Sequence, residues 1–326
     1  MTTITENQFK QFDAFVESHD SFIICGHKEP DGDCIASTLV LKSILEQKGK
    51  PSTLLSQGPF KKTEIIEYEN LYIKEFKPLS TNKSKIGLFI VDCSEYSRLG
   101  EDIEPQVKQY DKFIIDHHLT AEETDNAIIN PAIPAAAILI QLLYEHCLEK
   151  IKPEDAKLLF LGIATDTGFF RFLGENTEET LFAAGRLVQA GVSPRNMAEE
   201  VYKGKPFSTR QLLALAIGHA TQYFDDKLII TYETLDETHK FAKNGRDNDA
   251  LYQTLLATDK VESVVFIRQE TETQCTAGFR SKGDVDVSKI AAAFGGGGHK
   301  NASGLAIKEK IETFIPRILE EYKKIL

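Results

Sequence analysis

The chain has 326 residues, 42% of them apolar and 27% charged, which suits two globular domains and excludes collagenous, disordered and disulfide-stapled classes. A formal net charge of −11 argues against a broad basic face for duplex nucleic acid, so any nucleic-acid substrate should be short. The five cysteines (Cys25, Cys34, Cys93, Cys147, Cys275) show no close pairing, the N-terminus lacks the regions of a signal peptide, and no apolar run reaches membrane-spanning length, so a cytoplasmic protein without membrane association is expected.

The apolar run 21–25 reads as a buried strand, and it leads into a periodic helix over 35–47. Strand candidates follow at 86–92 and 112–116, and helical patterns at 135–148, 153–165 and 178–189. Strands alternating with helices predict an α/β domain with a mainly parallel sheet. Across 191–209 the chain becomes charged and is punctuated by Pro194, Gly204 and Pro206, the pattern of a connecting helix and linker. The expected organisation is a catalytic domain over 1–190, a linker over 191–212 and a smaller mixed α/β domain over 213–326. In the last, strands are expected at 227–232, 262–268, 274–280 and 304–307, with a helix at 287–294.

Ligands of parallel sheets gather beyond the carboxyl ends of the strands, and the polar motifs stand there. His27 follows the first strand, Asp92 closes GLFIVD, and Asp116, His117 and His118 close the strand KFIID. The segment from His27 through Asp31 to Asp33 places an imidazole and two carboxylates in a tight turn around Pro30 and Gly32. Any Pro-Asp-Gly segment can make a surface turn, but Asp92, the Asp-His-His triplet and Asp166 of ATDTG keep it company. Polar groups at buried rims are costly without partners, and carboxylates this close repel unless cations intervene, so two divalent ions account for the set. Mixed His and Asp ligation favours Mn²⁺, with Co²⁺, Fe²⁺ or Mg²⁺ as alternatives.

In the second half, the run from Gly295 to Gly298 before His299 lets backbone N–H groups approach an anion, or simply ends a helix. No Gly-Lys-Ser/Thr follows it, so a Walker loop is unsupported. Arg280 and Ser281 end a strand shortly before, where a guanidinium fork would clamp a terminal phosphate. Arg171, five residues past Asp166, is a weaker candidate that would equally suit a structural ion pair. Cys34 and Cys93 adjoin ligand positions but read as small packing residues, and His19, His146, His219 and His239 receive no function.

The motifs HKEPDGDCIAS, VDCS, DHH, TDTGFFR and GGGGHKNASG occur in the order seen in the DHH/DHHA1 phosphoesterases. The chain resembles most the nanoRNase and pAp phosphatase branch, across nearly its whole length. That resemblance implies one ion held by His27, Asp31 and Asp92 and a second by Asp33, Asp92, His117 and Asp166, with Asp92 bridging. It also implies a hydroxide between the ions as nucleophile, with Asp116 orienting a histidine. His118 would contact the phosphate or protonate the leaving alcohol. Arg280, Ser281, Gly295, Gly296, Gly297, Gly298, His299 and Ser303 would bind substrate from a mobile second domain. The implied substrates are very short single-stranded RNA, cleaved to mononucleotides, and 3′-phosphoadenosine 5′-phosphate (pAp), converted to AMP. A homodimer is compatible with this reading. The rivals are a linear or cyclic dinucleotide phosphodiesterase and a nucleotide-binding protein without catalysis, the latter disfavoured by the complete ligand set. One departure stands out: the family commonly has a small hydroxyl residue and a glutamate after the DHH motif, where this chain has Ala135, Ala136, Ala137 and Gln141.

Overall fold

In the computed structural model, which describes residues 4–77, 85–118 and 126–326, the chain divides into two units, Met1–Lys203 and Gly204–Leu326. The first unit runs α1 (Glu6–Ser18), β1 (Ser21–Cys25), α2 (Gly32–Gln47), β2 (Ser52–Leu55), β3 (Ile86–Val91), α3 (Tyr96–Leu99), α4 (Glu104–Val107), β4 (Asp111–Asp116) and β5 (Ala127–Ile129). It closes with α5 (Ala136–Cys147), α6 (Pro153–Asp166), α7 (Glu178–Gln189) and α8 (Pro194–Tyr202). All five strands are parallel, in the order β2-β1-β3-β4-β5. The order reverses between β1 and β3, which opens a crevice at the carboxyl ends of those two strands.

β3 is buried at every position because the sheet is covered on both sides. One face carries Phe22, Ile24, Phe89, Val91, Phe113 and Ile115 in the core beneath the larger helices. The other carries Ile23, Leu88, Ile90 and Ile114 against Leu99, Ile103 and Val107. The register sets Cys25 beside Ile90 and Val91 beside Ile115, so the chain leaves three neighbouring strands at one rim. α1, which sequence periodicity did not reveal, closes the sheet through Phe12 and Phe15, packed on Phe89 and Phe113.

The predicted helix at 35–47 begins earlier, at Gly32, because Asp31 caps it: its carboxylate accepts from the backbone N–H groups of Asp33 and Cys34, both at 3.1 Å. The segment expected to be a tight turn is therefore half helix. Gly32 is required there by close packing, since a Cβ would stand 2.3 Å from the Thr165 hydroxyl of α6.

The second unit contains α9 (Phe207–Gly218), β6 (Thr221–Tyr223), β7 (Leu228–Glu233), α10 (Leu235–Phe241), α11 (Asn248–Leu256), β8 (Ser263–Thr271) and β9 (Gln274–Ser281). α12 (Val287–Ala293), β10 (Gly297–His299), β11 (Ala302–Ile307) and α13 (Ile311–Tyr322) follow. Its sheet has the order β10-β11-β9-β8-β7-β6, with β7 and β8 parallel and the remaining neighbours antiparallel. α12 and α13 cover one face through Ile290, Phe314 and Ile318, while Ala216 of α9 and Leu251 and Leu255 of α11 pack with Val264 and Phe266 of β8. Among the described residues, no helix is long and apolar enough to cross a membrane.

Candidate metal centre

Each of the three neighbouring strands delivers polar side chains to the rim. After β1 comes His27, whose Nδ1 lies 2.9 Å from the Lys28 carbonyl, so that Nε2 faces the carboxylates. After β3 comes Asp92, buried and in the left-handed region at φ 61, a conformation held only where surroundings enforce it. After β4 comes His117, with Nδ1 3.1 Å from the Ile133 carbonyl and Nε2 turned to the carboxylates. A ring nitrogen held by a carbonyl leaves the other free to ligate, the usual support of a metal-bound histidine.

Asp92 divides its oxygens between the two histidines: Oδ2 lies 3.4 Å from His27 Nε2 and Oδ1 3.3 Å from His117 Nε2. Asp31 Oδ1 stands 3.8 Å from His27 Nε2. Asp166 and Asp33 stand 3.3 and 3.9 Å from His117 Nε2. These separations exceed hydrogen-bond length, yet they are near the ~3.0–3.6 Å between adjacent ligands that each sit ~2.1 Å from one ion. Asp92 Oδ1 and His117 Nε2 are buried without a hydrogen-bond partner, which a cation between them would remedy. Donor groups suited to a metal recur here as His27 with Cys34 and Asp92, Asp92 with His117 and His118, and Asp33 with His117 and Asp166.

The electrostatics agree with that fit. Burial opposes charge on His27, but the Asp31 and Asp92 carboxylates outweigh it and lift the pKa to about 10. Burial likewise opposes charge on His117, and Asp92, Asp33 and Asp166 outweigh it, raising the pKa to about 9. Burial also acts to raise Asp31, yet His27 holds this carboxyl below the usual range. Asp33 is pushed well up, and Asp166 to about 7, by burial first and then by neighbouring carboxylates. Protons thus sit where positive charge is needed, and a divalent ion would displace them.

His118 stands at the edge of this cluster, its Nδ1 4.0 Å from Asp92 Oδ1. Its Nδ1 lies 2.7 Å from Asp116 Oδ1, which also accepts from the backbone N–H groups of His117 and His118. The Asp116 hydrogen bond is the main cause of a raised His118 pKa, and the ring is half exposed.

In the second unit, Arg280 lies on β9 between Val264 and Ala302, its guanidinium 4.9 Å over the ring of Tyr252. The first half of the glycine run follows the helix-ending reading. Gly295 and Gly296 donate to Ala292 and Ala291 carbonyls and close α12, so those two N–H groups are already used, and Gly297 and Gly298 enter β10 opposite Gly304 and Ser303. His299 is exposed at the end of that strand. The Ser281 and Ser303 hydroxyls are turned inward, donating to the Val285 and Val287 carbonyls at 2.7 Å.

The DHH family, N-terminal domain, matches residues 21–163, and the DHHA1 domain matches 225–326. The chain belongs to the DHH phosphoesterases. A bifunctional oligoribonuclease and PAP phosphatase, NrnA, from Thermus thermophilus is 27% identical over 306 residues, covering 93% of this chain and 89% of that protein. The cyclic-di-AMP phosphodiesterase GdpP of Bacillus subtilis is 27% identical over 94% of this chain but 48% of its own length. Among solved structures, an exopolyphosphatase-related protein from Bacteroides fragilis superposes with a TM-score of 0.84 at 24% identity, over 100% of this chain and 99% of that one, a likeness of fold.

Within the DHH domain, the structure accounts for the alanines after the motif. Asp33 Oδ2 accepts from Ala136 N at 2.6 Å and Asp33 Oδ1 from Ala137 N at 2.8 Å, so α5 meets the centre through its backbone, while the small side chains of Ala136 and Ala137 are fully buried. Gln141 is buried and donates to Glu145 and to the Ala183 carbonyl, away from the metal cluster. Tyr252 beneath Arg280 was not foreseen, because the short helix that carries it has no strong sequence signature.

Proposed function

We propose that this phosphoesterase removes nucleotides from very short oligoribonucleotides and converts pAp to AMP. The observation that carries the reading is the division of Asp92 between His27 and His117, which creates two adjoining donor sets that share one carboxylate. His27, Asp31 and Asp92 would hold one divalent ion, and Asp33, Asp92, His117 and Asp166 a second, with Mn²⁺ the first choice for this His and Asp mixture. Such a pair, when bound, activates water and neutralises charge on the reacting phosphate. His118, protonated and fixed by Asp116, would donate a proton to the leaving oxygen. Arg280, flattened on Tyr252, would fork onto a terminal phosphate, and Gly297, Gly298 and His299 would form the adjoining wall. In this reading Ser281 and Ser303 shape that wall without touching the ligand, as their inward hydrogen bonds suggest.

The substrate class is supported by NrnA, which matches nearly end to end, whereas the GdpP match is confined to about half of that longer protein. A panel of pAp, a dinucleotide, long RNA and linear and cyclic dinucleotides, assayed with Mn²⁺, tests the reading. Turnover of the first two is expected. Preference for long RNA would overturn it, and preference for the cyclic dinucleotide would replace it with second-messenger turnover.

A further inference from the structure

Just past Asp166, three successive residues lie in the left-handed region: Gly168 at φ 56, Phe169 at 59 and Phe170 at 69. Glycine enters that region freely, whereas two bulky residues there cost energy and persist only where the surroundings enforce them. Thr167 supplies part of that enforcement, its hydroxyl donating to the Ile163 carbonyl at 2.6 Å and accepting from Phe170 N at 3.0 Å. Phe169 N donates to the Ala164 carbonyl, and the Phe169 and Phe170 rings both meet Phe160 edge-on.

The turn throws the next two side chains outward. The Phe172 ring lies across Gly168, where a Cβ would come within 2.4 Å of it, and yet the residue remains 65% exposed. Arg171 is held beside it: Nε donates to the Gly168 carbonyl at 2.7 Å, and Nη2 donates to the Tyr202 hydroxyl at 3.0 Å. The guanidinium stands 6.0 Å from the Phe172 ring and 5.8 Å from the ring of Tyr202, itself 46% exposed. Gly168, beneath Phe172, is two Cα steps from Asp166, at most about 7.6 Å. A fixed cation between two exposed rings is thus carried on a turn that begins two residues after Asp166.

We propose that Phe172, Arg171 and Tyr202 form a stacking subsite for the base of the nucleotide next to the scissile phosphate. The proposal rests on the oligoribonucleotide reading above and adds a base-recognition site to it. Aromatic faces interleaved with arginine bind single-stranded nucleotides through stacking and attraction to the backbone, without requiring a particular base. An arginine held between two aromatic rings suits an anionic aromatic ligand. A purely structural staple between the turn and the end of α8 would need Arg171 and Tyr202, but would give the exposed Phe172 ring no task.

The chain contains no tryptophan, so F172W creates a single fluorophore in the proposed subsite, and F182W, on an exposed face of α7, serves as the control. The Mn²⁺-loaded variants are titrated with AMP and with ribose 5-phosphate. Saturable quenching of F172W by AMP, well below the concentration at which ribose 5-phosphate acts and absent from F182W, is expected. No quenching, or equal quenching by both ligands or in both variants, overturns the proposal. In a second arm, F172A should raise KM for a dinucleotide about tenfold, with kcat and Mn²⁺ stoichiometry unchanged and F172W restoring KM. An unchanged KM, or a loss confined to kcat with weakened Mn²⁺ binding, overturns it. Wild-type turnover of the dinucleotide is measured alongside. Its absence defeats the proposed function, while the AMP titration still decides the subsite.

Discussion

Asp33 Oδ2 lies 2.6 Å from the backbone nitrogen of Ala136, so the first turn of α5 is capped by a carboxylate from another helix. Ala135, at the N-cap, has no side-chain oxygen to do this, and Asp33 Oδ1 satisfies Ala137 N as well. Asp33 thus has two tasks, capping α5 and facing His117.

Removing the carboxylate should expose both tasks. D33A is expected to lower the stability of the metal-free protein by about 1 kcal/mol, the scale of a lost cap, because two buried N–H groups lose their acceptor. Relief from burying a carboxyl whose pKa is pushed well up offsets part of that cost. Turnover should fall by at least about 100-fold, as expected when a metal site is disturbed. Thermal unfolding in chelator and a Mn²⁺ assay read the two effects separately. Unchanged melting would show that α5 does not depend on this cap.

The pH dependence of the metal-free protein follows from the raised pKa values of the centre. His27 and His117 titrate at about 10 and 9 when folded against 6.5 when unfolded, so the folded state holds these protons longer. Their stabilising contribution is complete below pH 6.5 and is lost as pH rises through 9 to 10. Asp166, raised from 3.8 to about 7, acts in the same direction: its contribution is complete below 3.8 and lost as pH rises through 7. Urea unfolding in chelator should therefore show lower stability at pH 9.5 than at 6.5, and the double variant H27Q/H117Q should flatten the trend. With Mn²⁺ present the trend should reverse, because the ion takes the place of the protons and binds more tightly as they leave. A metal-free protein that gains stability toward pH 9.5 would contradict this account.

The Asp116 and His118 pair makes a different prediction. Asp116 raises the His118 pKa through a 2.7 Å hydrogen bond, which favours the charged ring that a proton donor requires. D116N should shift the alkaline limb of the kcat profile to lower pH and reduce the plateau by about 10- to 100-fold, within the range that general acid catalysis contributes. H118Q should abolish that limb while Mn²⁺ stoichiometry stays constant. A D116N profile with an unmoved alkaline limb would remove His118 from the proton-transfer role.

How much of this was legible depended on whether side chains or backbone did the work. The strands ending at Cys25, Val91 and Asp116 were legible because burial on both faces makes them apolar runs, and the polar residues just beyond them stand out by contrast. The start of α2 was misplaced because Pro-Asp-Gly reads as a turn, whereas Asp31 uses it as a cap. The role of Ala136 and Ala137 left no sequence trace, since both act through N–H groups that every residue except proline possesses. For Gly295 and Gly296 the anion-loop and helix-end readings stayed open, because sequence cannot show that their N–H groups close α12. Tyr252 escaped notice for a related reason: α11 spans only Asn248–Leu256, too short for helical periodicity to declare itself.

Arg280 provides the sharpest test of substrate recognition. Its guanidinium lies 4.9 Å over Tyr252, whose hydroxyl burial pushes up to about 12, so at neutral pH the ring is neutral and presents its face to the cation. Nη1 donates to the Phe279 carbonyl, which fixes the fork further and leaves its remaining donors for a phosphate. If Arg280 grips a terminal phosphate, the wild type should prefer a dinucleotide with a 5′-phosphate over the same dinucleotide without one. R280A should erase that preference, raising KM for the phosphorylated substrate by about 10- to 100-fold, the worth of a charge-assisted hydrogen bond, while barely moving KM for the other. R280K should recover only part of it, because an ammonium carries the charge without the planar fork. Equal losses on both substrates would place Arg280 in the architecture of β9 and leave recognition of the phosphate to other residues.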